Sequence, residues 1–139
     1  MNIVRVNLHH SFESFKRDQI ITCPLDHSGY HDLIDAKTGD FILVATSIKK
    51  IGAIAVVESN HIGNLDYYTL GGRVTLDKRT IVQTRVLAYF DDLTQEEFVD
   101  TVGVSSNVFS CPAFSYKITE FSHAAFRDLL NNQITNNLE

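Results

Sequence analysis

The segment 39–59 constrains the fold more than any other part of the sequence. It contains two runs of mainly apolar residues, 41–46 and 51–58, which the short basic turn SIKK separates. Continuous apolar runs of this length, rich in Val, Ile and Ala, are typical of strands covered on both faces. We therefore expect a buried β-hairpin at the centre of the fold, with a Gly-Asp pair at the start of its first strand.

The rest of the pattern predicts strands and helices around this hairpin. The segment 2–8 alternates apolar and polar residues and predicts a strand with one buried face, followed by a short helix that Ser11 caps. A loop over 24–32, two short strands on either side of a Gly-Gly turn at 71–72, and a long strand at 80–90 come next. Thr94 and Ser122 begin two capped helices that an irregular segment separates. The sequence therefore predicts an α+β fold, a small, mostly antiparallel β-barrel with three to four peripheral helices.

Length and composition limit the organisation of the chain. At 139 residues it can form one hydrophobic core, so we expect a single domain over 1–135. Residues 136–139 are expected to be a polar tail ending in a Leu-Glu pair typical of a cloning scar, and whether the domain is cut from a longer protein stays open. No apolar run reaches the roughly 20 residues of a membrane span, and no secretory signal is visible. We expect a cytoplasmic protein without membrane partners, in which Cys23 and Cys111 are reduced.

Net charge limits the function classes. The formal net charge is −5, whereas proteins that grip nucleic acid mainly through its phosphates are normally basic, because counterion release drives that binding. This chain is therefore not a bulk binder of the phosphate backbone. Any contact with nucleic acid is expected to be local, or to use a base held in a pocket.

Three segments carry a resemblance to a known family. LIDAKTGDFILVATSIKKIGAIAVVES, at 33–59, has the Gly-Asp pair before a buried strand and the IGAIAVV run in the hairpin. TIVQTRVLAYF, at 80–90, is similar to the long strand that follows a variable aromatic loop. NVFSCPAFSYKITEFSHAAFRDLL, at 107–130, is similar to the closing strand and helix. In this order the segments resemble the PUA-like superfamily, and within it EVE-type domains, which are relatives of YTH, ASCH and SRA modules.

The resemblance implies a module that recognises a modified nucleobase, with methylation as the expected modification, flipped into an aromatic pocket. It also implies a role as the specificity domain of a DNA restriction or defence protein, with a fused or associated nuclease or NTPase subunit and no cofactor. Stacking of a base on an aromatic ring contributes about 1–3 kcal/mol, which suits an acidic chain. EVE and YTH domains typically place tryptophans at the pocket. This chain has none, so Tyr and Phe must form its cage.

Candidate site residues follow from side-chain chemistry and position. The base-pocket candidates lie near strand ends, helix starts or loops and carry a ring, a hydroxyl or an amide: His9, Ser11, Tyr30, Thr46, Ser47, Tyr68, Ser106, Asn107 and Phe109. The candidates for phosphate contacts lie in basic turns: Lys49, Lys50, Arg73, Lys78 and Arg79. For every one of them, an ordinary role in capping, turn formation, packing or solubility is the alternative.

Other function classes have weaker support in the sequence. It contains no Gly-rich phosphate loop, no zinc signature and no Gly-x-Ser-x-Gly elbow, so we expect neither an enzyme nor a metal site. The first alternative is an ASCH-like RNA-binding domain or small ribonuclease, with His9, His10, Glu13 and Lys16 available for acid–base chemistry. The second alternative is a barrel that binds only other proteins. DNA is the favoured partner, and RNA stays open.

Overall fold

The computed structural model describes residues 1–25, 28–47, 49–68 and 74–138. In chain order the elements are β1 (Ile3–Asn7), α1 (Phe12–Asp18), β2 (Ile20–Pro24), a 3₁₀ turn (Ser28–Tyr30), α2 (His31–Ile34), β3 (Phe41–Ala45), β4 (Ile51–Tyr68), β5 (Val74–Tyr89), α3 (Gln95–Val102), α4 (Asn107–Ser110), β6 (Ser115–Ile118) and α5 (His123–Leu138). Across these ranges, no helix combines the length and apolar character needed to span a membrane.

Six strands form one curled sheet in the order β2-β5-β4-β3-β1-β6. The β1–β3 pair is parallel, and the other four neighbouring pairs are antiparallel. The sheet has the shape of a half-barrel with helices around it. This confirms the predicted α+β class, and it confirms the central hairpin as β3 and the first part of β4.

Two apolar cores lie on opposite faces of the sheet. One contains Val4 of β1 with Phe15 of α1 and Leu33 of α2. The other contains Ile3 of β1 with side chains from α3, α4 and α5, including Phe126. Because successive side chains of a strand point to opposite faces, β1 is buried on both sides. The prediction that it has one buried face was therefore wrong, since helices cover the sheet from both sides.

The strand boundaries differ from the prediction in two places. The segments expected as a return strand, an aromatic strand and a third short strand are parts of β4 and β5, which stay paired from Ala53–Tyr89 to Tyr68–Val74. Register shifts near Ile54 and Val57 interrupt the alternation that a sequence pattern depends on. The pattern also missed β2, because residues 11–21 were assigned to one short helix that ends before Pro24, whereas α1 ends at Asp18 and Ile20 begins a strand.

The Gly-Asp pair has a structural explanation. Gly39 adopts φ +94°, a conformation that glycine reaches without strain, and its N–H donates to the Val57 carbonyl at 2.9 Å. The Asp40 carboxylate is buried and accepts the backbone N–H groups of Asn2 and Lys37, each at 3.0 Å. The pair therefore joins the start of β3 to β4 and to the chain before β1.

Helix capping agrees with the sequence at two of three starts. Thr94 Oγ1 accepts the Glu97 N–H at 3.1 Å and donates to the Glu97 carboxylate at 3.2 Å, which confirms Thr94 as the N-cap of α3. The Glu97 carboxylate accepts from the Thr94 hydroxyl and not, as in a full capping box, from the Thr94 backbone N–H. Ser122 Oγ accepts the Ala125 N–H at 3.2 Å at the start of α5. Ser11 occupies the N-cap position of α1, but its side chain makes no capping bond. The predicted cap by Ser11 is therefore not formed.

Candidate functional site

The main cavity lies where β1 ends, beside the 3₁₀ turn and the segment between α4 and β6. Its volume is about 820 Å³, within the usual range for small-ligand sites. Its lining consists of aromatic, polar and small side chains: Asn7, His9, His10, Ser11, Gly29, Tyr30, Gln95, Phe109, Ser110, Cys111, Pro112, Ala113 and Phe114. We call this space the main cavity.

Three aromatic rings line the main cavity. Tyr30 and Phe114 contact each other edge to face, with ring centroids 5.1 Å apart. Phe109 lies on α4 and packs edge to face against buried Phe98, with centroids 6.1 Å apart. Each ring is thus supported by another ring, which fixes its position before any ligand arrives. Such walls are suited to a flat, apolar ligand surface.

A buried arginine holds one wall of the main cavity. Arg5 on β1 is only 1% exposed. Its guanidinium donates to the carbonyl of Cys111 at 3.2 Å and to that of Ala113 at 2.7 Å. Burial lowers the pKa of Arg5, with smaller opposing effects from Cys111, Tyr116 and Asp32. The cost of burying this charge is offset by hydrogen bonds that fix the 111–113 segment to the sheet.

Two carboxamides add polar groups to the lining. Asn7 Oδ1 accepts from the Arg5 guanidinium, and Asn7 Nδ2 donates to the Ala113 carbonyl, each at 3.2 Å. Gln95, the first residue of α3, donates from Nε2 to the Ser47 carbonyl at 2.8 Å. The surroundings of both side chains therefore fix which end of each amide is oxygen and which is nitrogen. The main cavity thus combines aromatic walls with fixed hydrogen-bonding groups.

A second space, which we call the basic groove, adjoins the main cavity. It has a volume of about 640 Å³ and shares His9 and His10 with the main cavity, and its remaining lining residues are Thr46, Ser47, Lys49 and Lys50. Both lysines are exposed, and neither forms an ion pair among the residues that the structure describes. In a protein of net charge −5, this is a local concentration of positive charge.

The turn that carries the two lysines is held against the start of α3. The Gln95 N–H donates to the Lys49 carbonyl at 2.8 Å, and the Thr46 N–H donates to the Lys50 carbonyl at 3.1 Å. The Lys49 N–H also donates to Ser47 Oγ at 3.3 Å. The backbone of the basic groove is therefore organised without a ligand.

The structure brings part of the predicted site together. His9, Ser11, Tyr30 and Phe109 line the main cavity, and Thr46, Ser47, Lys49 and Lys50 line the basic groove. Ser106 and Asn107 lie at the start of α4, outside the linings of both spaces. Their proposed contacts with a base, and those of the lining residues, stay predictions.

Three of the remaining predicted residues, Tyr68, Lys78 and Arg79, belong to the long β4–β5 ribbon. The backbone of Tyr68 pairs with Val74 near the end of β4, and Arg73 falls outside the described residues. Lys78 is exposed on β5. Arg79 is half-buried close to Cys23, and neither of these two lines the main cavity or the basic groove. Lys78 and Arg79 therefore do not share a surface with Lys49 and Lys50, and their phosphate contacts stay predictions.

Sequence reasoning missed four residues that build the main cavity. Arg5, Asn7, Gln95 and Phe114 were assigned no site role, although the first lies behind the cavity wall and the other three line it. Arg5 and Asn7 stood in the polar positions of an alternating strand, which indicated an exposed face. A polar residue in a strand that is covered on both faces must be buried, and a buried polar residue often belongs to a site. This inference requires knowing that both faces of β1 are covered, which the sequence pattern did not indicate.

The residues considered for nuclease chemistry do not form one cluster. Glu13 and Lys16 pair on α1, with Nζ and Oε1 3.5 Å apart, whereas His9 and His10 line the main cavity. Across the described part of the chain, no three His, Cys, Asp or Glu side chains are placed to hold a metal ion. Burial raises the pKa of Cys23 to about 11, so this thiol is not activated as a nucleophile.

Comparisons with known proteins show similarity at the level of the fold. No family model matches the sequence, and no curated protein matches it either. Among solved structures, the chain is similar to the YTH domain of the Zygosaccharomyces rouxii MRB1 protein, solved in complex with N6-methyladenosine RNA. The TM-score is 0.51 at 10% identity over 96% of this chain and 84% of that one. The Pho92 YTH domain, solved in complex with m6A, gives a TM-score of 0.47 at 13% identity over 96% and 86% of the two chains.

The first of these structures supports the predicted fold. YTH domains are among the relatives named by the sequence resemblance, and the MRB1 domain has the same fold over most of both chains. At 10% identity the likeness concerns the fold. It leaves the EVE type and the link to restriction systems as proposals.

Proposed function

We propose that this protein is a nucleic-acid-binding domain that recognises a single modified nucleobase. The base occupies the main cavity, and the adjoining backbone crosses the basic groove. The observation that carries this proposal is the junction of the two spaces. The main cavity, with its aromatic walls, adjoins the groove that carries Lys49 and Lys50. His9 and His10 line both the main cavity and the basic groove.

The physical properties of the main cavity suit a base. Its volume exceeds that of one nucleobase and leaves room for a methyl substituent and part of the sugar. Stacking on Tyr30, Phe109 or Phe114 supplies about 1–3 kcal/mol. Extrusion of a base from a duplex costs a few kcal/mol, so a single strand is the easier ligand. This mode of binding also suits a chain that lacks tryptophan, because Tyr and Phe offer the same flat surface.

N6-methyladenine in RNA is the first ligand to test, because the MRB1 domain of the same fold was solved with it. Methylated cytosine and adenine in DNA are the second set, since the sequence resemblance favoured DNA. A role as the specificity domain of a restriction protein, with a nuclease or NTPase partner, depends on the DNA result. We further propose that the domain itself binds without catalysis, and the likeness to the MRB1 domain in its RNA complex supports this expectation.

The first prediction concerns preference for the modified base. Fluorescence anisotropy with labelled nine-nucleotide strands is expected to show at least tenfold tighter binding of one modified strand than of its unmodified counterpart, a difference of about 1.4 kcal/mol. Tyr30→Ala and Phe109→Ala are each expected to weaken binding of that strand by a factor of about ten, through loss of stacking. The matched control is Tyr89→Ala, which removes a partly exposed tyrosine that does not line the main cavity.

Two outcomes would contradict the proposal. Equal affinity for modified and unmodified strands of both RNA and DNA would show that the main cavity does not select a base. A loss of affinity in Tyr89→Ala as large as in Tyr30→Ala would show that binding occurs elsewhere. A protein-interaction role would then be the better explanation of the same surface.

The second prediction concerns the basic groove. If Lys49 and Lys50 each contact one phosphate, the double variant Lys49→Ala/Lys50→Ala is expected to reduce the slope of log affinity against log salt by about 1.4 for a single strand. Affinity for the free modified nucleoside, which has no phosphate, is expected to stay unchanged. Lys37→Ala is the control, because Lys37 is exposed outside both spaces. An unchanged slope in the double variant would show that the basic groove is not part of the binding surface.

A further inference from the structure

Gln95 has a buried carboxamide whose nitrogen is hydrogen-bonded and whose oxygen accepts no hydrogen bond from the described residues. Only 9% of the residue is exposed, and it lines the main cavity. Its Nε2 donates to the Ser47 carbonyl at 2.8 Å, while its backbone N–H donates to the Lys49 carbonyl at 2.8 Å. Among the residues that the structure describes, no group donates to its Oε1.

The orientation of this amide follows from its donor. Because a backbone carbonyl accepts from Nε2, the other end of the planar amide must be the oxygen. Asn7, the other carboxamide of the lining, has both its oxygen and its nitrogen bonded to protein groups. Gln95 therefore supplies the unused amide oxygen of the main cavity, held in place by the turn that also carries Lys49.

We propose that Gln95 is a specificity-determining residue whose Oε1 accepts a hydrogen bond from an exocyclic amino N–H of the bound base. This inference rests on the proposed function and makes it narrower. The main cavity then takes an adenine-, cytosine- or guanine-type base whose exocyclic nitrogen keeps at least one hydrogen, and it disfavours uracil, thymine and hypoxanthine, which have no exocyclic amino group. A base that offers only an acceptor at this position leaves the Gln95 oxygen unpaired, which is unfavourable in a site from which a ligand excludes water.

The experiment compares two ligands of nearly the same shape. One RNA nonamer carries N6-methyladenine, and the other carries 6-methoxypurine at the same position, in which an oxygen replaces the N–H. The wild-type protein is expected to bind the N6-methyladenine strand at least tenfold more tightly. In Gln95→Met, which keeps the length of the side chain, the two affinities are expected to lie within about threefold of each other.

A matched variant separates this role from a structural one. Gln133 also donates its side-chain nitrogen to a backbone carbonyl, that of Tyr89, at 2.6 Å, but lies outside the main cavity. Gln133→Met is expected to keep the full preference for N6-methyladenine. Loss of stability alone would lower both affinities of Gln95→Met and leave their ratio unchanged.

The outcomes distinguish this inference from the proposed function. If the wild-type protein prefers N6-methyladenine to adenine but does not distinguish it from 6-methoxypurine, the role of Gln95 is wrong and the proposed function stands. The same conclusion follows if Gln95→Met keeps the wild-type ratio, because shape then accounts for the selection. If no modified strand binds better than its unmodified counterpart, the proposed function fails and this inference fails with it. If Gln95→Met does not fold, the test is the ratio of the wild-type affinities for the N6-methyladenine and 6-methoxypurine strands. A ratio near one contradicts the inference.

Discussion

Replacing Arg5 with alanine is expected to lower the free energy of unfolding by about 4 kcal/mol. The substitution leaves the carbonyls of Cys111 and Ala113 without the guanidinium, and it opens a void where a fully buried long side chain lay. The guanidinium also lies 5.9 Å from the ring centroid of Tyr116, and this contact is lost as well. Urea unfolding of the two proteins, followed by far-UV circular dichroism, measures the change.

Arg5→Met separates packing from hydrogen bonding. Methionine refills much of the volume and removes a buried charge, so it is expected to recover about half of the loss seen in alanine. Methionine cannot donate to the carbonyls of Cys111 and Ala113, so the 111–113 segment loses these hydrogen bonds. The affinity of the folded Arg5→Met protein for its ligand is therefore expected to be lower than that of wild type. If Arg5→Met is as stable as wild type and binds as tightly, the guanidinium contributes to neither stability nor the shape of the main cavity.

The sequence predicted the parts of the fold that follow from local pattern. The run 41–45 is apolar throughout, which is typical of a strand covered on both faces, so β3 and the first part of β4 were identified. The N-cap at Thr94 is equally local, because both hydrogen bonds between Thr94 and Glu97 form within four residues. The order of the strands within the sheet was not predicted, because a periodic pattern alone does not contain it.

The main cavity was only partly predictable, because its residues come from distant parts of the chain. Tyr30 and Phe109 were identified because each is an aromatic residue in a polar segment without strand or helix periodicity. Arg5 was not, since its partners lie 106 and 108 residues away and no local feature indicates them. The need for glycine at position 52 was equally invisible in the sequence. A Cβ at this position would lie 2.4 Å from a methyl group of Thr46 and 2.8 Å from the ring of Phe12. Such contacts become visible only once the sheet is assembled.

Replacing Asp40 with alanine is expected to cost about 3 kcal/mol of unfolding free energy, because hydrogen bonds to a charged group contribute about 1.5–3 kcal/mol each and both donors are partly buried. Its two carboxylate oxygens accept the N–H groups of Asn2 and Lys37. The N–H group of Asn2 is then left without its acceptor just before β1, and that of Lys37 without its acceptor before β3. The loss corresponds to a fall in the melting temperature of roughly 10 °C, measured by differential scanning calorimetry.

The conservative variant gives the sharper test. Asp40→Asn keeps one oxygen but turns an NH₂ group towards the second N–H, so one hydrogen bond is replaced by a contact between two donors. It is therefore expected to lose at least half as much stability as alanine, despite its nearly identical shape. Asp128→Ala, which removes an exposed carboxylate from α5, is the control and is expected to change stability by less than about 0.5 kcal/mol. Full stability in Asp40→Asn would mean that shape, and not the double acceptor, explains why aspartate follows Gly39.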